Sequence, residues 1–402
     1  MKNLLVFALV TVMVSCNDFK NEYMFDSEIE NKILSDTTKN SYFGTGYRYQ
    51  VGASDYAKKG NYRKALVTWD LAVGTSEKNY NQSQIDSINR LYNKVNAINY
   101  ITEEAKQYQV LIINEAHHNA RHRVFTKALL QKLYDSGFTN IGFEALTNGE
   151  FQDALLNTRK YPIQKTGHYI KEPQFGDLVR TALEIGYHVF PYEVTTDADG
   201  REREIQQAKN IQRVIEQKPR EKFIIHCGFG HVLEGNYSDW GKTMAGRLTE
   251  FTGIDPLTIN QDYFSEKSKP EFNHPLLKAL NLTESSVLID GNDKPMKYEY
   301  EDSYSDIAVL HPNTIYIKGR PNWLFTNGNK ATQISLEDID ISFPVMVLAY
   351  KKGEDIKTAI PMDIVEVENK TDSTYLALRK GEYEIVVYNL DRHTQKFEIF
   401  VE

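Results

Sequence analysis

Cysteine is nearly absent: Cys16 and Cys227 are the only two in 402 residues. No disulfide framework can therefore support the fold. Positive charge is in deficit, with 47 Lys and Arg against 55 Asp and Glu and a formal net charge of −8. That balance argues against nucleic acid, and against an anionic membrane surface, as a partner. There is no His-Glu-x-x-His stretch, so no strong zinc signature is present. Beyond the N-terminus no segment is apolar enough to cross a membrane.

What is present is ordinary for a globular protein, 41% hydrophobic and 25% charged, and the 25 tyrosines point to substantial strand content. The length exceeds what one core organises, so two or three domains are expected. Lys2 precedes the apolar run Leu4 to Val14, too short to span a bilayer but suited to a secretory signal. The run ends in "MVSC", which resembles a bacterial lipoprotein signal, with Met13 where Leu is usual. The resemblance makes residues 1–16 a signal peptide and Cys16 the lipidated first residue. Residues 17–45 become a flexible tether, and the protein a lipid-anchored one of the cell envelope, facing periplasm or exterior. Simple secretion with cleavage nearby is the alternative.

Residues 46–104 read as helical. "YAKKGNYRKALVTWDLAV" carries Gly60, Tyr62, Ala65, Trp69 and Ala72 at the spacing of one tetratricopeptide-type hairpin, with no second copy. A lone unit cannot bury its own face, so it is expected to dock on the main domain. A further helix is expected over 83–104. Residues 105–328 then alternate: the strands "YQVLIIN", "NIGFEAL", "HVFPYE", "KFIIHCG" and "PLTINQDYF" are separated by amphipathic helices. The pattern predicts an α/β fold with a mainly parallel sheet covered on both faces. From residue 329 onward, short alternating strands predict an accessory antiparallel β-sandwich.

The chemistry concentrates where the strands end. The first ends in Glu115, Ala116, His117 and His118, the second in Glu144, the third in Glu193. The fourth ends in His226, Cys227 and "GFGH", with His231. Glu115 and His117 share a face because strand side chains repeat every two residues. Sites in such sheets lie beyond the carboxyl ends of the strands. Each residue alone has a plainer reading: a glutamate after a strand caps the next helix, and His118 and His122 are solvated. His168 and His188 read as structural. Convergence from separate strands selects Glu115, His117, Glu144 and His231 as catalytic.

These residues also resemble a superfamily. "NEAHHNARHR", "GFEAL" and "KFIIHCGFGH" followed by "KTMAGRL" are similar to the erythromycin esterase-like, ChaN-like and Tiki/TraB proteins. The family pattern is Gly-Glu-x-His, a glutamate ending the second strand, then Gly-x-x-His. Asn114 stands where the family has its first Gly, while Gly228-Phe229-Gly230-His231 fits fully. The resemblance covers about residues 105–265. It implies an α/β domain whose branches hydrolyse a lactone, act as a metal-dependent protease, or bind haem. Fold resemblance alone does not select among them.

The leading expectation is a hydrolase acting on an ester, lactone or peptide carbonyl of a small molecule or peptide. His117 is the general base, oriented by Glu115 or Glu144, and His231 handles the carbonyl or the second proton. Arg121, Glu193, His226, Gly228 and Gly230 are expected to bind substrate, with glycine N–H groups available to an oxyanion. Arg121 and Arg123 either hold a substrate carboxylate or pair with the glutamates. A metal version uses His117, His231, Glu115 and Glu144 as an N/O set for Zn or Mn. A Cys227–His nucleophile, a haem- or metal-carrying lipoprotein without turnover, and a degenerate scaffold are the competing readings.

Overall fold

The computed structural model describes residues 23–39 and 44–402. The expected signal peptide over residues 1–16, with Cys16, lies outside the described residues. The described chain opens with α1 (Asp26–Ser35), α2 (Tyr47–Lys58), α3 (Tyr62–Val73) and α4 (Gln82–Leu91). It continues through β1 (Asn93–Asn96), α5 (Ala97–Glu104), β2 (Val110–Glu115), α6 (Arg121–Asp135) and β3 (Phe138–Phe143). Next come α7 (Leu156–Arg159), α8 (Pro173–Ile185), β4 (His188–Pro191), α9 (Gly200–Gln217) and β5 (Lys222–Gly228). They are followed by β6 (Glu234–Asn236), α10 (Met244–Thr252), β7 (Leu257–Asn260), α11 (Pro275–Ala279) and β8 (Ser286–Ile289). Short strands β9 (Tyr298–Tyr300), β10 (Asp302–Ser305), β11 (Ile307–Leu310), β12 (Tyr316–Ile317) and β13 (Arg320–Pro321) lead to the C-terminal set. That set is β14 (Lys330–Ile334), β15 (Val345–Lys351), β16 (Asp363–Val367), β17 (Thr374–Leu378), β18 (Gly381–Asn389) and β19 (Thr394–Val401).

The central sheet has the order β1-β8-β11-β7-β2-β5-β3-β4. Its pairs from β11 to β4 are parallel, while β8 joins β11 and β1 antiparallel. Every residue of β2 is buried, which is why "VLII" reads as a continuous apolar run rather than an alternation. Its side chains still divide by parity. Leu111 and Ile113 pack with α5, α6 and α8, whereas Val110 and Ile112 pack with α9 and α10. The sheet is thus a mixed, mainly parallel layer between two helical layers.

Two expectations need correcting. Residues 83–104 do not form one helix: Asn93–Asn96 pairs with Ser286–Ile289 as an edge strand between α4 and α5. A tertiary partner almost 200 positions away overrides the local period there. Nor are residues 23–39 a free tether. Phe25, Ile29 and Ile33 are buried, and Ile29 and Ile33 pack on Tyr56, Ala57 and Ala65 of the α2–α3 hairpin. Tyr23 and Phe25 join Met346, Leu348 and Tyr388 of the C-terminal strands.

The C-terminal strands form antiparallel sheets of four (β16-β15-β18-β19) and two (β14-β17) strands. Their inward residues, among them Ile334, Val347, Leu376 and Val387, share one core. The α2–α3 turn docks on this part through Gly60, at φ +78°, where a Cβ would lie 2.5 Å from the Ile364 carbonyl oxygen. The α2–α3 helices thus pack on α1 and, through Gly60, on the C-terminal strands. Among the described residues no helix is long and apolar enough to cross a membrane.

Candidate active site

The site is built on three neighbouring strand ends, β2, β5 and β3. Glu115 pairs in register with Gly228 at the end of β5, and Glu144 follows Phe143 at the end of β3. Parity decides where each carboxylate points. Glu115 continues the row of Leu111 and Ile113, toward α6 and α8. Glu144 falls on the opposite face from Ile141 and Phe143, toward α9. Gly228 lies between them, and its missing side chain joins the two halves. A Cβ there would stand 2.5 Å from His117 Cε1, 2.8 Å from Nε2 and 3.4 Å from Glu144 Oε2. His117 thus crosses over Gly228 toward Glu144, through space that only glycine leaves open.

On the α6 side, His117 Nδ1–H donates to Glu115 Oε1 at 2.8 Å, which leaves Nε2 as the acceptor nitrogen. The ring stacks on Tyr169 with centroids 3.8 Å apart and meets the edge of Phe229 at 4.9 Å. Glu115 is itself clamped by Arg123, which donates through Nε to one oxygen and through Nη2 to the other. Burial works against the Glu115 charge, but Arg123 and the bond from His117 outweigh it and hold the carboxyl far below its ordinary range. Arg123 also donates to Glu172 at 3.0 Å and to the His117 carbonyl at 3.0 Å.

On the α9 side, Glu144 accepts from the Gly228 N–H and from Arg203 Nη2, each at 2.5 Å. Burial alone would raise its pKa, but His231, Arg203 and His117 outweigh it and hold the carboxyl below its ordinary range. His231 Nδ1–H donates to Glu204 at 2.8 Å, and Glu204 also accepts from the Met244 N–H at the start of α10. Its Nε2 faces two partners of opposite demand. Arg203 Nη1, a donor, is 3.1 Å away, and Glu144 Oε1, an acceptor, is 3.5 Å away. Burial disfavours the imidazolium, yet Glu204 and Glu144 outweigh burial and raise the His231 pKa. Gaining or losing one proton therefore changes which partner Nε2 can bind. Arg203 also forks onto Glu193, which accepts from both Nε and Nη2. The ring of Trp240 stacks on His231 at 5.6 Å.

The structure brings Glu115, His117, Glu144, His231, Glu193 and Gly228 together, and it separates the rest. Arg121 is not in the cluster: its guanidinium is buried and committed to Glu266 and the Pro312 carbonyl. It leaves α6 two residues before Arg123, on a different helical face. His226 lies inside, with Phe143 and Phe175 at 5.4 and 5.2 Å, and burial pulls its pKa to about 4. It supports the floor and does not reach the opening. Gly230 meets nothing closer than Leu233 at 3.9 Å, so its lack of a side chain is not used as that of Gly228 is. The Gly228 N–H is already engaged by Glu144 and is not free for an oxyanion.

His118 and His122 are buried rather than solvated. Trp69 stacks on His118 at 4.0 Å, and His122 Nδ1 accepts from the Ala116 N–H while Nε2 meets Ser265 at 2.7 Å. Cys227 packs on the opposite face from His226, its thiol bonded to the Ile113 carbonyl at 3.7 Å, and burial raises its pKa well above the usual thiol value. That is an inert setting for a nucleophile. Asn114 ties the loop: its amide donates to the Phe229 carbonyl at 2.9 Å and its oxygen accepts from the Gln261 N–H at 2.8 Å.

The residues do not fit a divalent metal. The carboxylate oxygens that would ligate it are engaged by Arg123, Arg203 and the Gly228 N–H. Among the described residues, no group of three or more His, Cys, Asp or Glu is arranged to hold an ion. Arg203, Glu204, Tyr169 and Glu172 are site residues that sequence reasoning missed. Arg203 and Glu204 lie in the first turns of α9, a segment legible only as one of the amphipathic helices between strands. Glu193, already selected at the end of β4, was the one signal pointing to a basic partner nearby.

No family model matches the chain, and no curated protein matches it. Among solved structures it is similar to the type III effector HopBA1, at 14% identity over 55% of this chain and 97% of that one, with a TM-score of 0.34. It is also similar to RRSP, a MARTX toxin effector domain from Vibrio vulnificus, at 14% identity over 51% and 43% of the two chains and a TM-score of 0.29. A third likeness is to the C-terminal region of Pasteurella multocida toxin, at 11% identity over 87% and 54%, with a TM-score of 0.32. The chain spans about half the length of the latter two. Likenesses this distant carry no argument about chemistry, which rests on the side chains described above.

Proposed function

We propose that this chain is a hydrolase that activates water on an ester, lactone or peptide carbonyl. The observation that carries the reading is the Glu115–His117 pair, 2.8 Å apart, with Nε2 left as an acceptor on a ring that stacks on Tyr169 and is 15% exposed. His117 takes a proton from water as the oxygen attacks the carbonyl carbon, and Glu115 stabilises the imidazolium that forms. Arg203, the most accessible cation of the cluster at 30% side-chain exposure, polarises the carbonyl oxygen in place of the engaged glycine N–H. His231 in its protonated form gives a proton to the leaving oxygen or nitrogen, and Glu144 and Glu204 hold it ready. The products are a carboxylic acid and an alcohol or amine.

The motifs shared with the erythromycin esterase-like, ChaN-like and Tiki/TraB proteins support the same reading. They contribute both ends of the cluster, at Glu115–His117 and at Gly228–His231. A lipid anchor at Cys16 belongs to this reading and rests on "MVSC". Incorporation of labelled palmitate, lost in Cys16→Ala, tests it. The hydrolase itself is tested by screening purified protein against ester, lactone and peptide substrates. Turnover that disappears in His117→Ala and in His231→Ala is the expected result. Turnover that survives both removes the assignment, and stoichiometric haem, Zn or Mn without turnover replaces it with a carrier.

A further inference from the structure

We propose that α3 is a working part of the active centre, with Tyr62 a positioning residue for the His117 base; this rests on the hydrolytic reading above. The path is continuous and buried. Tyr62, 4% exposed, donates its hydroxyl to Glu172 Oε1 at 2.8 Å. The other oxygen of Glu172 accepts from Arg123 Nη1 at 3.0 Å. Arg123 forks onto both oxygens of Glu115, and Glu115 holds His117 Nδ1 at 2.8 Å. Five side chains, from the helical hairpin to the imidazole, are thus joined by charge-assisted bonds, and all but His117 are buried, where such bonds polarise one another.

Capping alone does not account for the tyrosine. Glu172 already satisfies the start of α8 through the Gln174 and Phe175 N–H groups, at 2.9 and 2.8 Å, and it already has Arg123. The hydroxyl of Tyr62 is one donor more, and it sets how strongly Glu172 competes with Glu115 for the shared guanidinium. Its removal leaves Glu172 drawing harder on Arg123, so the Glu115 carboxylate and the ring it orients lose their fixed position.

A second contact from the same helix points the same way. Trp69, two turns after Tyr62, stacks on His118 at 4.0 Å and on Phe229 at 5.5 Å. Phe229 is held at φ +41°, a conformation rare for a side chain of its bulk, and its ring edge meets His117. α3 therefore reaches His117 from two sides, through the Nδ1 hydrogen bond and through the ring wall. A hairpin docked for stability alone needs neither.

The test uses the full chain and needs no assumption about substrate. His117 Nδ1–H, donating to an ionised carboxylate, should give a downfield proton resonance, assigned by its loss in His117→Ala. Tyr62→Phe keeps the ring and its packing on Trp323, and is expected to displace that resonance; Glu172→Gln displaces it further. Tyr187→Phe removes a comparably buried hydroxyl bond, to the Leu130 carbonyl at 2.7 Å, and leaves the resonance where it was. With a hydrolysed substrate in hand, Tyr62→Phe lowers kcat by about threefold to tenfold at unchanged KM, the scale of one hydrogen bond. An unmoved resonance in Tyr62→Phe overturns the relay, as does the lack of any such resonance in the wild type. A displaced resonance in a protein that hydrolyses nothing upholds the relay and rejects the hydrolase.

Discussion

Replacing Arg123 by methionine tests the electrostatic skeleton of the site directly. Arg123 is fully buried and compensates two carboxylates that are themselves about 1% exposed, Glu115 and Glu172. Methionine keeps most of the volume but removes four donated hydrogen bonds and leaves two negative charges without a cation. Breaking a buried pair from one side costs about 3–5 kcal/mol, because the abandoned charge cannot return to water. The sign with pH follows. In the wild type Glu115 is held below its unfolded pKa, so its contribution is present above the unfolded value of 4.5 and lost as pH falls through the folded one. In the variant, burial without a cation raises both carboxyls, so their folded form is favoured when they are protonated and loses stability as pH rises. The gap between the two proteins is therefore wide at pH 7 and narrows by half or more at pH 4. Urea unfolding at both pH values, with Arg123→Lys as an intermediate that keeps the charge but not the fork, measures it. A gap under about 1 kcal/mol at pH 7, or one that does not change with pH, refutes the reasoning.

Three further outcomes are expected. Gly228→Ala places a methyl 2.5 Å from His117 Cε1, so kcat/KM should fall by about a hundredfold or more as the base is displaced. The overpacking should cost stability by about 1–3 kcal/mol, and an alanine enzyme with full turnover would contradict the crossing of His117 over β5. His231 has a raised folded pKa, so its contribution is complete below the unfolded value of 6.5 and is lost as pH rises through the folded one. The stability difference between wild type and His231→Asn should accordingly shrink from pH 6 to pH 9 in urea titrations; a constant difference would argue against the Glu204–His231–Glu144 arrangement. Cys227→Ala should keep turnover within about twofold, and the native thiol should resist iodoacetamide because it is buried and protonated. Inactivation by either treatment would restore the nucleophile reading.

Much of the α/β core was legible because the inner strands are buried on both faces and the helices between them carry an apolar stripe. "VLII", "FIIHC" and the helix after "RHR" announce themselves by composition alone. The β1 strand was not legible, because its four residues are paired by a distant edge and carry no strand signature of their own. The helix α1 was hidden for a related reason. Its polar sequence offers only Ile29 and Ile33 to a core, and they gain meaning from the hairpin they meet. Of the candidate site, the residues at strand ends could be picked out because period-two geometry sends them to one edge. Arg203 and Glu204 could not, because a charged residue early in a helix looks the same in sequence whether it faces water or a buried acid; Arg123 was legible only as one of two arginines offered to the glutamates. Arg121 was misplaced on that account: the sequence offers two arginines two positions apart, and only the roll of α6 on the sheet decides which one turns inward.

The amino-acid order by itself determined that several strands would deliver acids and imidazoles to one end of a sheet, since alternation along a strand is a local property. The tertiary structure alone decided that a glycine on the middle strand would let His117 reach Glu144, and that two guanidinium groups would occupy the carboxylates. Those outcomes depend on strand order and helix rotation, which arise from packing between segments a hundred residues apart and leave no trace in any local period.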